Sequence, residues 1–219
     1  MAKPSPANLR AFVRRHARLA PVAGLPGIRL FQVDDVTVAW RLAGSELGQA
    51  DPPLPFWAFA WAGGLALSRY LFDHPGEVAG LRVLDVACGS GLCAITAMLL
   101  GASSVHAADI DPLSGAAVAV NARANGVRVG FSLADVTAAD PPSCDLVLAG
   151  DVCYEEAMAG RMLDWLRRAA RGGTRVLVGD PGRRYLPPGL ELLATYRVQT
   201  SHELEAGETR DSAVYVIRG

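Results

Sequence analysis

The chain has 219 residues, of which 51% are hydrophobic and 20% charged, and its formal net charge is -1. That length suits one α/β unit with a sheet covered on both faces, and the near-neutral charge excludes a chain built to coat nucleic acid. No apolar run approaches the ~18 residues that a bilayer-spanning helix requires, so no membrane partner is expected.

The opening stretch MAKPSPANLRAFVRRHARLA carries Arg10, Arg14, Arg15 and Arg18 and no acid. Such a stretch suits a transit peptide or a solvated basic helix face, and the second reading is preferred because the rest of the segment has helical spacing (Leu9, Phe12, Val13, His16). It has no signal-peptide apolar region, so the expected location is the cytoplasm. Lys3 is the one lysine among 21 basic side chains, a bias that points to a bacterial source; in a eukaryote the same reading would place the protein in the mitochondrial matrix. A helix is expected over 8–19, ended by Pro21, Gly24, Pro26 and Gly27. The alternation in FQVDDVTVAWRLA predicts β structure over 31–43 with a turn at Asp34-Asp35. DPPLPF is extended by its prolines and acts as a hinge before a helix at 62–72. Residues 1–55 thus form a helical and β prelude, and 56–219 the main domain.

From Leu81 the pattern is regular. Strands are expected at 81–86, 103–108, 127–132, 144–149 and 174–179, and helices at 91–100, 112–124 and 155–170. This alternation implies right-handed crossovers and a parallel sheet, and the continuous apolar runs LRVLDVA, DLVLAG and RVLVG imply burial on both faces. The tail, TYRVQTSHELE and SAVYVIRG around a polar loop at 205–211, reads as an antiparallel pair at one sheet edge. Cys88, Cys93, Cys144 and Cys153 form no C-x-x-C pair and read as small core residues of a reducing compartment, with no metal site. The histidines, His16, His74, His106 and His202, are scattered and take no catalytic role.

The chemistry concentrates in LRVLDVACGSGLCAITA. Gly89-Ser90-Gly91-Leu92-Cys93-Ala94 fits G-x-G-x-x-A, and Asp109 closes the next strand, so a dinucleotide fingerprint is formally satisfied. Three features favour S-adenosylmethionine instead. Asp85 lies four residues before Gly89, where a carboxylate repels a pyrophosphate and suits a ligand bearing an ammonium and a sulfonium. A second strand-end acid, Asp135, is placed to accept from an adenine amino group. GDVCY, after the fourth core strand, has the D-x-x-Y spacing of amino-group methyltransferases through Asp151 and Tyr154, without the usual prolines.

Together with PFWAFAWAGGLALSRYLFDHP, ADIDPLSGAAVAVNARANG and RVLVGDPGRR, these motifs resemble the seven-β-strand methyltransferases, and among them family 16, from about Pro55 to Leu193. The resemblance implies strand order 3-2-1-4-5-7-6 with the last strand antiparallel, S-adenosylmethionine as donor, and a protein lysine as acceptor, on the electron transfer flavoprotein β-subunit. It also implies that Asp85, Gly89 and Gly91 lie under the methionine and ribose, Asp109 at the ribose hydroxyls, Asp135 at the adenine edge, Ala149 and Gly150 beside the cofactor, and Trp61 against it. An aromatic face also stabilises a sulfonium, which gives Trp61 or Trp57 a use. Methyl transfer needs an aligned, unprotonated amine rather than a strong base. Asp151, Tyr154 and Asp180 follow strand ends and are the candidates for holding the incoming nitrogen, Asp151 first. A small-molecule N-methyltransferase would share every cofactor residue. An NAD-dependent oxidoreductase and a non-catalytic cofactor-binding module are the competing functions of different chemistry.

Overall fold

The computed structural model describes residues 4–48, 52–200 and 209–219. His202 and residues 205–208 of the expected tail loop lie outside them. Helix α1 (Pro6–His16) starts at Ser5, whose hydroxyl accepts from Asn8 N, has Pro6 in its first turn, and buries Leu9, Phe12 and Val13. It stops short of the expected end, and residues 18–21 form β1 (Arg18–Pro21), antiparallel to β2 (Arg29–Gln32).

The expected β structure over 31–43 ends at Gln32, and the rest is helix α2 (Val36–Leu47). The reason is Asp35: its Oδ1 accepts from Thr37 N at 2.8 Å and from Val38 N at 3.0 Å, capping the first turn. A helix-capping carboxylate outweighs the β preference of Val36, Thr37 and Val38. α2 then buries Ala39 and Ala43.

A 3-10 turn (Phe56–Ala58) leads into α3 (Ala62–Asp73). There follow β3 (Arg82–Val86), α4 (Leu92–Leu99), β4 (Ser104–Asp109), α5 (Pro112–Ala124), β5 (Gly130–Leu133), β6 (Leu146–Gly150), α6 (Glu156–Arg171), β7 (Arg175–Asp180), β8 (Glu191–Gln199) and β9 (Thr209–Ile217). The seven-stranded sheet has the order β5-β4-β3-β6-β7-β9-β8, and β9 runs antiparallel to both its neighbours. Renumbered from β3, this is the order 3-2-1-4-5-7-6.

The central strands are buried on both faces, which is why they read as unbroken apolar runs. Val83, Leu146, Leu148 and Leu177 pack against α3 and α4, while Leu84, Val86, Val147 and Val176 pack against α6. β3 sits between β4 and β6, so the strand order reverses there and leaves a crevice beyond the carboxyl ends of β3 and β6.

Two contacts shape that crevice. The start of α3 lies directly on the ends of β6 and β7: a Cβ on Gly63 would stand 2.1 Å from Gly179 O, and one on Gly150 would stand 3.0 Å from Gly64 Cα. Gly63 and Gly150 are thus packing requirements, whereas a Cβ on Gly64 would meet only ordinary contact, 3.7 Å from Cys93 Sγ. On the other side, buried Asn121 of α5 accepts from Phe31 N at 2.7 Å and donates to Ser90 O at 2.9 Å, tying the β1-β2 hairpin to the glycine loop.

Candidate active site

A cavity of about 650 Å³ fills the crevice. Its floor is the loop from β3 to α4, where the backbone turns through left-handed values at Ala87, Gly89 and Gly91 (φ 49°, 51° and 78°). Gly89 lines the cavity, with the Phe56 carbonyl so close that a Cβ would sit 3.3 Å from it. Gly91 does not line it; a Cβ there would stand 2.8 Å from Val118 Cγ2, so its glycine serves the packing of the loop on α5. Ala149 is fully buried beneath the lining, whereas Gly150 reaches it.

Asp85 lines the cavity and is 2% exposed; its Oδ2 accepts from Ala94 N at 3.0 Å. Asp109 is held by both oxygens, Oδ2 accepting from Gly89 N and Oδ1 from Asp111 N, each at 2.9 Å. Each oxygen keeps a lone pair for a ligand hydroxyl. Asp111 caps α5 through Leu113 N and also faces the cavity. At the far end, exposed Asp135 caps a short turn by accepting from Thr137 N and Oγ1, and shares the lining with Arg161.

Burial drives the buried acids of the cavity in one direction, whereas the hydrogen bond from Thr137 lowers exposed Asp135. Asp85 is pushed up to about 7 by desolvation, with Asp109 adding repulsion. Desolvation raises Asp111 to about 6, lifts Asp109 as well, and takes Asp151 to about 6 against the pull of Arg183. Crowded carboxylates in an apolar recess repel a pyrophosphate and are relieved by a cation. That is the opposite of a dinucleotide site, where helix N–H groups receive the phosphates.

The opening of the cavity is aromatic. Phe56 packs against Trp61 (ring centroids 5.5 Å apart) and against Tyr154 (5.4 Å), and Trp61 Nε1 donates to Phe56 O at 2.9 Å. Trp57 points away: it is fully buried among α1, α5 and the prelude. Behind the aromatics lies Asp151, at φ 80° and 9% exposed. Its Oδ2 accepts from Gly64 N at 3.0 Å, capping α3 from across the fold, and its Oδ1 accepts from Arg183 Nη2 at 2.7 Å and Nε at 3.1 Å. The Arg183 guanidinium also stands 5.9 Å from the centre of the Trp61 ring.

Asp180, expected to hold the substrate nitrogen, does not reach the cavity. It is fully buried, its Oδ1 accepts from Arg183 N at 2.6 Å, and its Oδ2 has no hydrogen-bond partner. Strand-end position alone does not decide which way a side chain turns, and here the Pro181-Gly182 turn folds Arg183 back over it. Sequence reasoning missed Phe56, Arg183 and the α6 face of Met158, Arg161 and Met162, all in the lining. The i, i+3, i+4 spacing of that face was a usable signal.

The chain is 37% identical over 217 residues to the electron transfer flavoprotein beta subunit lysine methyltransferase of Xenopus laevis, covering 94% of this chain and 85% of that protein. The chain belongs to this lysine methyltransferase family. The family model for ribosomal protein L11 methyltransferase (PrmA) also matches, over residues 68–151. Among solved structures, a Pyrococcus horikoshii protein described as an RNA methyltransferase superposes with a TM-score of 0.59 at 16% identity, over 76% of this chain and 89% of that one. Magnesium protoporphyrin IX methyltransferase from Synechocystis, solved with bound S-adenosylhomocysteine, gives 0.54 at 18% identity over 84% and 99%. Both share the fold. The methyl donor is S-adenosylmethionine, and the cavity fits it: glycine backbone below, a cation-seeking acid at Asp85, hydroxyl-accepting oxygens at Asp109, and aromatic cover at the opening.

Proposed function

We propose that this chain methylates lysine side chains of the electron transfer flavoprotein β-subunit. The observation that carries this reading is the joining of an acid-lined donor cavity to an aromatic opening whose rim is left bare: Leu54, Ile110 and Tyr154 line the cavity and are 56%, 73% and 42% exposed. Apolar side chains held out around an opening suit a macromolecular partner better than a small amine, which is enclosed more completely.

S-adenosylmethionine would supply an activated methyl group, and Asp85, Gly89, Asp109 and Asp135 are the residues we assign to holding it. The residues of the opening align the acceptor. Trp61, Phe56 and Tyr154 form a slot for the methylene stem of a lysine, whose apolar length packs on ring faces while its nitrogen passes inward. Desolvation in that slot favours the neutral amine, the form with a lone pair, and the proton departs to water. Asp151, with Gly64 N–H on one oxygen and Arg183 on the other, is a positioning group rather than a proton acceptor. The β1-β2 hairpin acts as a cover that fixes the glycine loop through Asn121. The location we assign is the cytoplasm of a bacterial cell, in keeping with the arginine-rich composition; among the described residues no helix is long and apolar enough to cross a membrane.

The test supplies purified flavoprotein, free lysine and a set of small primary amines in parallel, and follows S-adenosylhomocysteine release. Release with the flavoprotein alone supports the reading. Release with a small amine and none with the flavoprotein refutes it.

A further inference from the structure

The pairing of Arg183 with Asp151 bears on a difficulty in the chemistry. A bare carboxylate beside the acceptor nitrogen would stabilise the ammonium form, which has no lone pair and cannot react. In this structure that carboxylate is not bare. Arg183 lines the cavity, places Nη2 and Nε on Asp151 Oδ1, and lies across the Trp61 ring, with side-chain exposures of 17% for Arg183 and 9% for Asp151. A shielded ion pair of this kind keeps its geometry in a way that a surface pair does not.

We propose that Arg183 sets the charge state of the acceptor amine: by neutralising Asp151 at the cavity opening, it prevents the site from trapping the substrate nitrogen as an ammonium. The inference rests on the amine-methylating reading above. Asp151 then contributes direction without net charge, and Arg183 is a positioning residue that acts on the substrate through Asp151 and through its own field. The cationic product meets the same guanidinium, which disfavours its retention.

The other charged or titratable groups around Asp151 do not provide this function. Asp85 from β3 and Asp180 from β7 are carboxyl groups raised by burial, which add negative charge when ionised and never a positive one. Cys93 on α4, Cys153 and Tyr154 are all held towards their neutral forms by burial. Arg210 on β9 acts on Asp180. The first turn of α3 contributes only Ala62, Gly63 and Gly64.

The test is the pH dependence of kcat, which reports groups in the substrate complex, measured with the flavoprotein for the wild type, Arg183→Gln and Arg183→Lys. Loss of the guanidinium should move the acid limb of Arg183→Gln upward by about one pH unit, so its rate falls about tenfold below the limb and approaches the wild type at alkaline pH. Arg183→Lys should keep the limb near its original position, because the charge is retained even though the fork is lost. An Arg183→Gln limb at the wild-type pH, or a uniform loss of rate in both variants at every pH, overturns the proposal and leaves Arg183 a structural tie. A wild-type enzyme that leaves the flavoprotein unmethylated is a different failure: it overturns the functional reading, and this inference falls with it.

Discussion

Replacing Asp85 by Asn should make the protein without ligand more stable and its donor site weaker. Asp85 is 2% exposed and its carboxyl is raised to about 7 from an ordinary 3.8. An acid with a raised folded-state value holds its proton more tightly when folded. Above pH 7 it therefore destabilises the native state in full, and the penalty fades as pH falls from 7 towards 4. At 1.36 kcal/mol per unit the upper limit is about 4 kcal/mol, reduced to about 2 kcal/mol where water in an open cavity screens the charge. Asn keeps an acceptor for Ala94 N–H, so the start of α4 remains tied down. Urea denaturation at pH 8 should show Asp85→Asn more stable by about 2 kcal/mol, with a smaller gain at pH 5. Calorimetry with S-adenosylhomocysteine should show affinity lower by about 1.5–3 kcal/mol, the range for a hydrogen bond to a charged group. A variant less stable than the wild type at pH 8, with unchanged ligand affinity, would show that Asp85 is a structural cap for α4 and refute the cation-seeking role.

Asp109→Ala removes the acceptor for Gly89 N and Asp111 N together with the ribose contact, so S-adenosylhomocysteine affinity should fall by about 2–3 kcal/mol in calorimetry, while the wild type shows no comparable binding of NAD. Tyr154→Ala deletes one wall of the lysine slot, and kcat/KM with the flavoprotein should fall about tenfold, the size of a lost aromatic pair, with ligand affinity unchanged. Asp180→Asn keeps the acceptor for Arg183 N and should retain most activity, whereas Asp180→Ala releases that turn and should lower turnover without weakening S-adenosylhomocysteine binding. Gly63→Ala drives a methyl into the Gly179 carbonyl, which cannot yield, and should cost about 3 kcal/mol, lowering the melting temperature by about 6–12 °C in a thermal scan.

The core elements were legible because local pattern and tertiary environment agree there. β3, β6 and β7 are buried on both faces and read as continuous apolar strands, and α5 begins where Asp111-Pro112 dictates. The prelude was misread at 36–43 because alternating Val36, Val38 and Trp40 mimic a strand, and the deciding event is one Asp35 oxygen collecting two backbone donors. At the site, Asp85, Gly89, Asp109 and Asp135 do surround one cavity. Arg183 was hidden because its role depends on a turn that folds it across β7 onto Asp151, thirty-two positions away in sequence. Asp180 was over-read for the same reason: only the turn's geometry shows that it faces inward.

The most direct measurement is peptide mapping by mass spectrometry of the electron transfer flavoprotein after incubation with this enzyme and S-adenosylmethionine carrying a deuterated methyl group. The label should appear on lysine Nζ atoms of the β-subunit, and should be absent when Asp109→Ala replaces the wild type. Label on another residue type, or a flavoprotein that stays unlabelled while the enzyme methylates a different protein, would contradict the assignment.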